Sequence, residues 1–227
     1  MPYPICHAFV ALQYNKNPKH TLGSIFPDVT HLLVKDKKHL FMKKFIHEIN
    51  AKKYDKDFID GIKVHIALDH YFHEKYIYKK RDILINEFSM HPSTAEGYIE
   101  IELDRLVDKK YPEVAKLIKK SMKSINTKQF AIYLSDSIDQ PLKKVKKALR
   151  DARLVTSFKK PYKLRNLVIK ALILRKYSRL RVRDFRLFKS RKIIKRAEQL
   201  IKDDYQKELK KAIKIVKTLR KHPFKEE

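Results

Sequence analysis

The sequence contains no tryptophan, three glycines and a single cysteine, Cys6, among its 227 residues. One cysteine excludes a disulfide framework and fits a reducing compartment, so we expect a cytoplasmic protein. The scarcity of glycine argues against a β-protein rich in tight turns and favours long helices. No run of about 18 apolar residues is present, and the first residues lack the basic and apolar segments of an export signal. Neither a membrane span nor a signal peptide is therefore predicted.

Positive charge is abundant and unevenly distributed. The net charge is +28, of which +23 falls in residues 141–227 and +5 in residues 1–140. We therefore predict a helical domain over 1–140 and a basic helical region over 141–227, which either stays separate or packs on the first part as one unit. A Lys-rich, Gly-poor composition is common in proteins of thermophiles, but it does not explain why one region carries most of the charge.

The spacing of apolar residues predicts an all-α fold. The predicted helices cover Ile5–Leu12, His39–Ile49, Asp57–Tyr78, Ser93–Val107, 112–123, 128–135, 138–156, 162–178 and Ile194–Leu219. Ser93 and Glu96 have the spacing of a capping box at the start of their helix. Gly23 and Pro27 favour a turn or a helix end over Leu22–Asp28.

A row of polar residues with a period of four marks the helix predicted over Asp57–Tyr78. His65, Asp69 and His73 share one of its faces. Apolar residues such as Phe58 lie on or beside the same face, so the row is directed toward the core. A buried carboxylate is costly without a partner, and a metal ion provides one for carboxylate oxygens and imidazole nitrogens alike. A metal-free hydrogen-bond network is the alternative.

One helix cannot complete a metal site, and nine of the ten histidines fall in residues 1–91. The further candidates are His7, Asp28, His31 and His39, and only one of the last two is expected in the site. Taken alone, His7 is more often a satisfied core histidine, and an aspartate after proline, such as Asp28, is more often a helix cap.

Three other polar residues have a weaker assignment. Glu100 and Asp104 are four residues apart on the helix that follows Pro92, so they are candidates for missing carboxylate ligands or a general base. The alternative is a pair of solvated carboxylates bound to Lys109 or Arg105. His20 is expected at the surface.

The order of these residues along the chain is itself informative. His7 is followed by Leu22–Asp28, with the sequence LGSIFPD, then by Lys38 and His39, and then by Gly61–Asp69, with the sequence GIKVHIALD. This arrangement, over residues 1–75, resembles the zinc-dependent phospholipase C family. The order of the Pro-Asp segment and the His/Asp helix is also similar to that of acyl-carrier-protein phosphodiesterases.

The resemblance implies an all-α helical bundle around a buried His/Asp site that holds two or more ions of zinc or another divalent metal. The residues that match ligand positions are His7, Asp28, His39, His65, Asp69 and His73. Asp69 would be the bridging carboxylate and the catalytic residue, and His73 would bind a further metal. The spacing of His39 matches the family better than that of His31.

The basic helical C-terminal extension adds a second candidate site. A dense arginine cluster, interleaved with aromatic residues, comprises Arg175, Arg179, Arg181, Arg183 and Arg186. Such a cluster attracts phosphates, which suggests nucleic acid or an anionic membrane surface as a partner.

Two functions therefore remain open. We expect a metal-dependent hydrolase of phosphoric esters, acting on a phosphate-containing substrate with a metal-activated water as nucleophile. The alternative is a non-enzymatic nucleic-acid-binding protein with a structural or vestigial metal site. The oligomeric state is not predicted.

Overall fold

The computed structural model describes residues 4–30, 56–124, 131–132, 135, 141–156 and 190–221. These ranges form an all-α bundle, as predicted. In chain order the elements are α1 (Pro4–Leu12), α2 (Pro18–Thr30), α3 (Lys56–Phe72), a π-helix (His73–Ile77), α4 (Tyr78–Phe88), α5 (Pro92–Lys110), α6 (Pro112–Ser124), α7 (Leu142–Thr156), α8 (Arg191–Lys202) and α9 (Tyr205–Leu219). The helices predicted over His39–Ile49 and 162–178 lie outside the described residues, as does most of 128–135.

The centre of the bundle is the contact between α2 and α3, the most extensive of the described helix pairs. Gly23 and Gly61 face the opposite helix here. A methyl group added at Gly23 would overlap the carbonyl oxygen of Phe58, and one added at Gly61 would overlap the carbonyl oxygen of His20. The two backbones therefore approach more closely than any side chain at these positions would allow.

Of the two alternatives predicted for Leu22–Asp28, a turn or a helix end, the turn is wrong. The whole segment is helical, with Pro27 inside α2. The glycine that suggested a turn is there for close packing, and the proline is accommodated within the helix. His20 is also corrected, because it is fully buried at 0% exposure between α2 and α3 rather than solvated.

The polar row of α3 runs into a change of helix type. The chain continues from α3 to α4 without a break, but His73–Ile77 forms a π-helix. A π-helical turn inserts an extra residue into the helical repeat and is frequent at functional sites. Here it begins at His73, the last residue of the polar row.

Helix α5 begins one residue earlier than predicted, and its cap differs. His91 is the N-cap, and its side chain accepts a hydrogen bond from the backbone N–H of Ser93. The predicted capping box of Ser93 and Glu96 is therefore wrong. The part-exposed carboxylate of Glu96 instead lies 3.0 Å from the Nδ1 of His73.

The helix predicted over Ile194–Leu219 is two helices. The chain turns at Asp203–Asp204, between α8 and α9. The predicted apolar stripe is nevertheless the buried one, since Ala197, Ile201, Tyr205, Leu209, Ala212 and Val216 are all in the core. The sequence did not reveal the turn, because Ile201 and Tyr205 keep the helical spacing of four residues on either side of Asp203–Asp204.

Helices α8 and α9 pack on the part of the bundle that carries the polar row. Helix α8 contacts α4 and α5, and α9 contacts α3. The hydroxyl of Tyr76, in the π-helix, donates a hydrogen bond of 2.5 Å to Asp204, which also binds Lys80 at 2.7 Å. None of the described helices combines the length and apolar character needed to cross a bilayer.

Candidate metal centre

Five of the predicted site residues converge in the structure. His7 comes from the middle of α1, Asp28 from the end of α2, His65 and Asp69 from α3, and His73 from the first position of the π-helix. The close approach of α2 and α3 at the two glycines holds Asp28 beside the polar row.

His7, Asp28 and His65 form one group of potential ligands, and all three are buried. The Nδ1 of His7 lies 3.7 Å from Oδ2 of Asp28, and the Nε2 of His65 lies 4.0 Å from Oδ1. Neither oxygen of Asp28 accepts a hydrogen bond from any described residue, although the side chain is only 4% exposed. A buried carboxylate without a hydrogen bond is expensive, so this arrangement favours a cation among the three side chains.

The orientation of His65 points to the same conclusion. Its Nδ1 lies 2.7 Å from the carbonyl oxygen of Ser24, which can only accept, so Nδ1 carries the hydrogen. A neutral His65 then directs the lone pair of Nε2 at Oδ2 of Asp69, 3.1 Å away. Two acceptors at this distance require a proton or a cation between them. A backbone carbonyl that fixes the ring tautomer is a common partner of a metal-binding histidine.

Asp69 occupies the centre of the cluster. Its Oδ1 lies 2.8 Å from the Nε2 of His7 and 3.5 Å from the Nε2 of His73, while Oδ2 faces His65. The rings of His7 and His65 are stacked, with centroids 4.0 Å apart, so both present a nitrogen to this carboxylate. Asp69 therefore touches the three histidines of the cluster that the structure describes.

A second group of potential ligands consists of His73, Glu96 and Glu100. The Nδ1 of His73 is 3.0 Å from Glu96, and its Nε2 is 3.3 Å from Glu100. Burial alone would lower the pKa of His73, but hydrogen bonds to Asp69 and Glu96 and the charge of Glu100 raise it to about 11. Burial raises the pKa of the Glu100 carboxyl.

A cavity of about 20 Å³ lies beside the cluster, lined by residues that include Cys6, His7, Asp69, His73, Glu100 and Asp104. This is room for about one water molecule or one ion. Asp104 accepts a 2.7 Å hydrogen bond from the backbone N–H of Cys6. Burial raises the pKa of the Cys6 thiol well above its usual value, and the carboxylates of Asp104, Asp69 and Glu100 raise it further.

Glu100 is not one of a solvated pair. It is 5% exposed and faces His73, whereas Arg105 binds Glu102 at 2.5 Å and Glu198 at 2.7 Å. The spacing of Glu100 and Asp104 identified both as candidates, but nothing in the sequence placed Glu96 in the site. Glu96 is brought there by the packing of α5 on the π-helix, one turn before Glu100.

The donor set fits a divalent metal. Ligand atoms about 2.1 Å from a tetrahedral ion are about 3.4 Å apart, close to the 3.7 and 4.0 Å found around Asp28. Imidazole favours zinc, iron or copper, and carboxylate favours manganese or magnesium, so the mixture suits zinc, manganese or iron.

Five carboxylates converge here in a chain of net charge +28, which is the opposite of what its composition would give by chance. They are Asp28, Asp69, Glu96, Glu100 and Asp104.

The remaining predicted residues lie outside the described part of the chain. These are His31 and His39, and the arginine cluster of Arg175, Arg179, Arg181, Arg183 and Arg186. The choice between His31 and His39 therefore stays a prediction.

The chain matches no protein-family model, no curated protein and no solved structure.

Proposed function

We propose that this protein is a metal-dependent hydrolase of phosphoric esters. The observation that carries the proposal is the pair of histidine/carboxylate groups joined by Asp69, which contacts His7 and His65 of one group and His73 of the other. The order of these residues along the chain, which resembles zinc-dependent phospholipases C, supports phosphoric esters as the substrate class.

Each group would hold a divalent cation, zinc or a metal of similar preference. The first comprises His7, Asp28 and His65, and the second comprises His73, Glu96 and Glu100. Bound cations would supply Lewis acidity toward a phosphoryl oxygen and lower the pKa of a water molecule so that hydroxide is available near neutral pH.

The protein's own residues have separate tasks. Ser24 holds the ring of His65 through its carbonyl oxygen and leaves Nε2 to face the site. Asp69 would orient or deprotonate the attacking water, because its carboxylate contacts both groups of ligands and keeps 13% side-chain exposure. Buried apolar residues such as Phe72 and Leu103 line the cavity beside these polar groups.

The test is hydrolysis of a panel of phosphodiesters and phosphomonoesters by the metal-loaded protein. Asp28→Asn should abolish activity, because a neutral amide cannot balance the cation. Asp82→Asn is the matched control, since Asp82 is exposed on α4 and pairs with Arg81. Activity that survives in Asp28→Asn, or a metal-loaded protein inert toward the whole panel, would contradict the proposal.

A structural metal site is the second candidate, and the small volume of the cavity favours it. A catalytic site keeps an open position for substrate, whereas a structural site is closed by protein ligands. In that case the chain would be a non-enzymatic binding protein, its metal would stabilise the fold, and chelation would lower the melting temperature without any activity to lose.

A further inference from the structure

Helix α9 presents a stripe of lysines to solvent. Lys207, Lys210, Lys214, Lys217 and Lys221 follow one another at intervals of three or four residues, and all are exposed. This spacing places them along one face of the helix and the turn that follows it. The buried stripe of α9 occupies the opposite face.

Among the residues that the structure describes, no acidic side chain forms an ion pair with a lysine of the stripe. Glu208 is the one acidic residue between Tyr205 and Leu219, and it binds Lys211 beside the stripe at 2.6 Å. The lysine–carboxylate pair of α9 therefore lies beside the stripe and includes none of its five lysines. Because long ammonium side chains repel one another at this spacing, an array of them gains most from a ligand with repeated negative charge.

The first half of the stripe borders a shallow groove at the end of α8. The groove is lined by Lys202, Asp203, Gln206, Lys207, Lys210, Lys211 and Lys214. The end of α5 adjoins it, because Lys110 donates a hydrogen bond to the side chain of Gln206. Lys110 of α5 therefore adds a positive charge beside the groove.

We propose that this lysine stripe binds the phosphate backbone of duplex nucleic acid. From Lys207 to Lys221 the stripe is about 21 Å long at a helical rise of about 1.5 Å per residue. Duplex nucleic acid of that length carries many more phosphates than the stripe has lysines, since DNA has one charge per about 1.7 Å. Lysine binds phosphate as a point charge, so the contact is independent of base sequence.

The composition of α9 favours a duplex over the other polyanions. Single-stranded nucleic acid is bound through aromatic side chains that stack on bases, and Tyr205, the aromatic residue of α9, is buried. A membrane-surface helix inserts its apolar face into the lipid, but the apolar face of α9 is buried against the bundle. Of the described residues, the large exposed apolar ones are Ile83 and Ile132, and neither belongs to α9.

The experiment is a salt titration of binding to a labelled duplex with the full-length chain. The test variant replaces Lys207, Lys210, Lys214 and Lys217 with Gln. The control replaces Lys116, Lys119, Lys120 and Lys123 of α6 with Gln, which removes the same charge from another exposed lysine face. The two variants have equal net charge, so any difference between them reports the surface and not the total charge. Circular dichroism confirms that both keep their helix content.

The test variant should lose about 3.6 units from the slope of log K against log salt, since each lost phosphate contact removes about 0.9. The Lys210→Gln/Lys214→Gln double variant should lose about 1.8 units, on the same rule. The control should keep the parental slope. Equal losses in the test and control variants, or no binding of the parent at low salt, would overturn the proposal. So would tighter binding to the matching single strand or to vesicles of phosphatidylcholine and phosphatidylserine than to the duplex.

Discussion

The charged residues of this protein are organised in opposite ways in two regions. Around α3, carboxylates and histidines are gathered in the interior, where Asp28 is 3% exposed and His65 is fully buried. On α9, lysines are gathered on the outside and the interior face is purely apolar apart from Tyr205. Both regions are helical and both have a period near 3.6, so periodicity alone does not distinguish a site from a surface.

The difference lies in the free energy that each arrangement involves. An exposed charge costs little, and an exposed ion pair stabilises a protein by about 0 to 1 kcal/mol. A buried charge without a partner costs several kcal/mol, so a cluster of them survives selection only where a ligand or a function compensates. Substitutions in the interior cluster should therefore have large effects that depend on metal, and substitutions on the lysine stripe should affect binding without affecting stability.

The largest effect should come from the contact that holds the interior cluster together. Gly61→Ala places a methyl group on the carbonyl oxygen of His20, so α2 and α3 must separate. We expect the free energy of unfolding to fall by about 3 kcal/mol or more, with loss of the metal site. Urea unfolding measures the change. Gly97→Ala on α5 is the control, which should stabilise or be neutral because alanine favours helix. Equal stability of the two variants would contradict the close contact.

The next prediction concerns Asp28→Asn, whose effect on stability should have opposite signs with and without bound metal. With metal bound, Asp28→Asn should lower affinity for the ion by about 100-fold or more, because a ligand charge is lost. In chelator, the same substitution should raise the free energy of unfolding by about 1 kcal/mol, because an uncompensated buried carboxylate is removed. Thermal unfolding with and without metal measures both. A variant destabilised equally in both conditions would show that Asp28 is compensated by the protein itself.

Metal affinity of the second group should depend on pH. His73, whose pKa is raised to about 11, carries a proton in the metal-free protein at neutral pH, so a cation must displace it. We expect affinity to rise about tenfold per pH unit between roughly pH 6 and 8. His70→Asn is the control, since His70 is exposed.

The stability of the metal-free fold should depend on pH in the opposite direction to the metal affinity. A raised pKa means that the contribution of His73 to stability is complete below its unfolded value near 6.5 and is lost as pH rises toward about 11. Unfolding in chelator across this range checks it. Stability that increases with pH in the parent but not in His73→Asn would contradict the assignment.

The smallest effect tests the junction between the two regions. Tyr76→Phe removes the hydrogen bond from the π-helix to Asp204, at the turn before α9. We expect a loss of about 1 kcal/mol of stability, with metal content and duplex binding unchanged. Chemical unfolding, metal analysis and a duplex-binding titration measure these three quantities. Loss of metal in this variant would show that α9 supports the site and not only the fold.

Sequence pattern predicted the parts of the site that lie on one helix. His65, Asp69 and His73 were placed together because their period of four is a local property. Glu96 could not be placed in this way, since its position depends on how α5 packs against the π-helix. The π-helix has no glycine or proline to mark it, and its sequence, HEKYI, is compatible with an ordinary α-helix.

The main error of the sequence prediction within the described residues concerned a glycine. Gly23 suggested a turn, because glycine is the usual residue there. Close packing of two helices requires the same residue for a different reason, which only the partner helix reveals. The turn between α8 and α9 was hidden for a related reason, since the apolar stripe continues through Asp203 and Asp204 without a change of spacing.

The most direct test of the interior site is the metal content of the purified protein. The chain is stripped with chelator, loaded separately with zinc, manganese and iron, desalted, and analysed by inductively coupled plasma mass spectrometry beside Asp69→Asn. With two groups of ligands joined by Asp69, the parent should retain about two ions per chain, and Asp69→Asn should lose them because both groups depend on that carboxylate. A parent that retains no ion from any of the three metals, or an Asp69→Asn variant that keeps its full complement, would contradict the account.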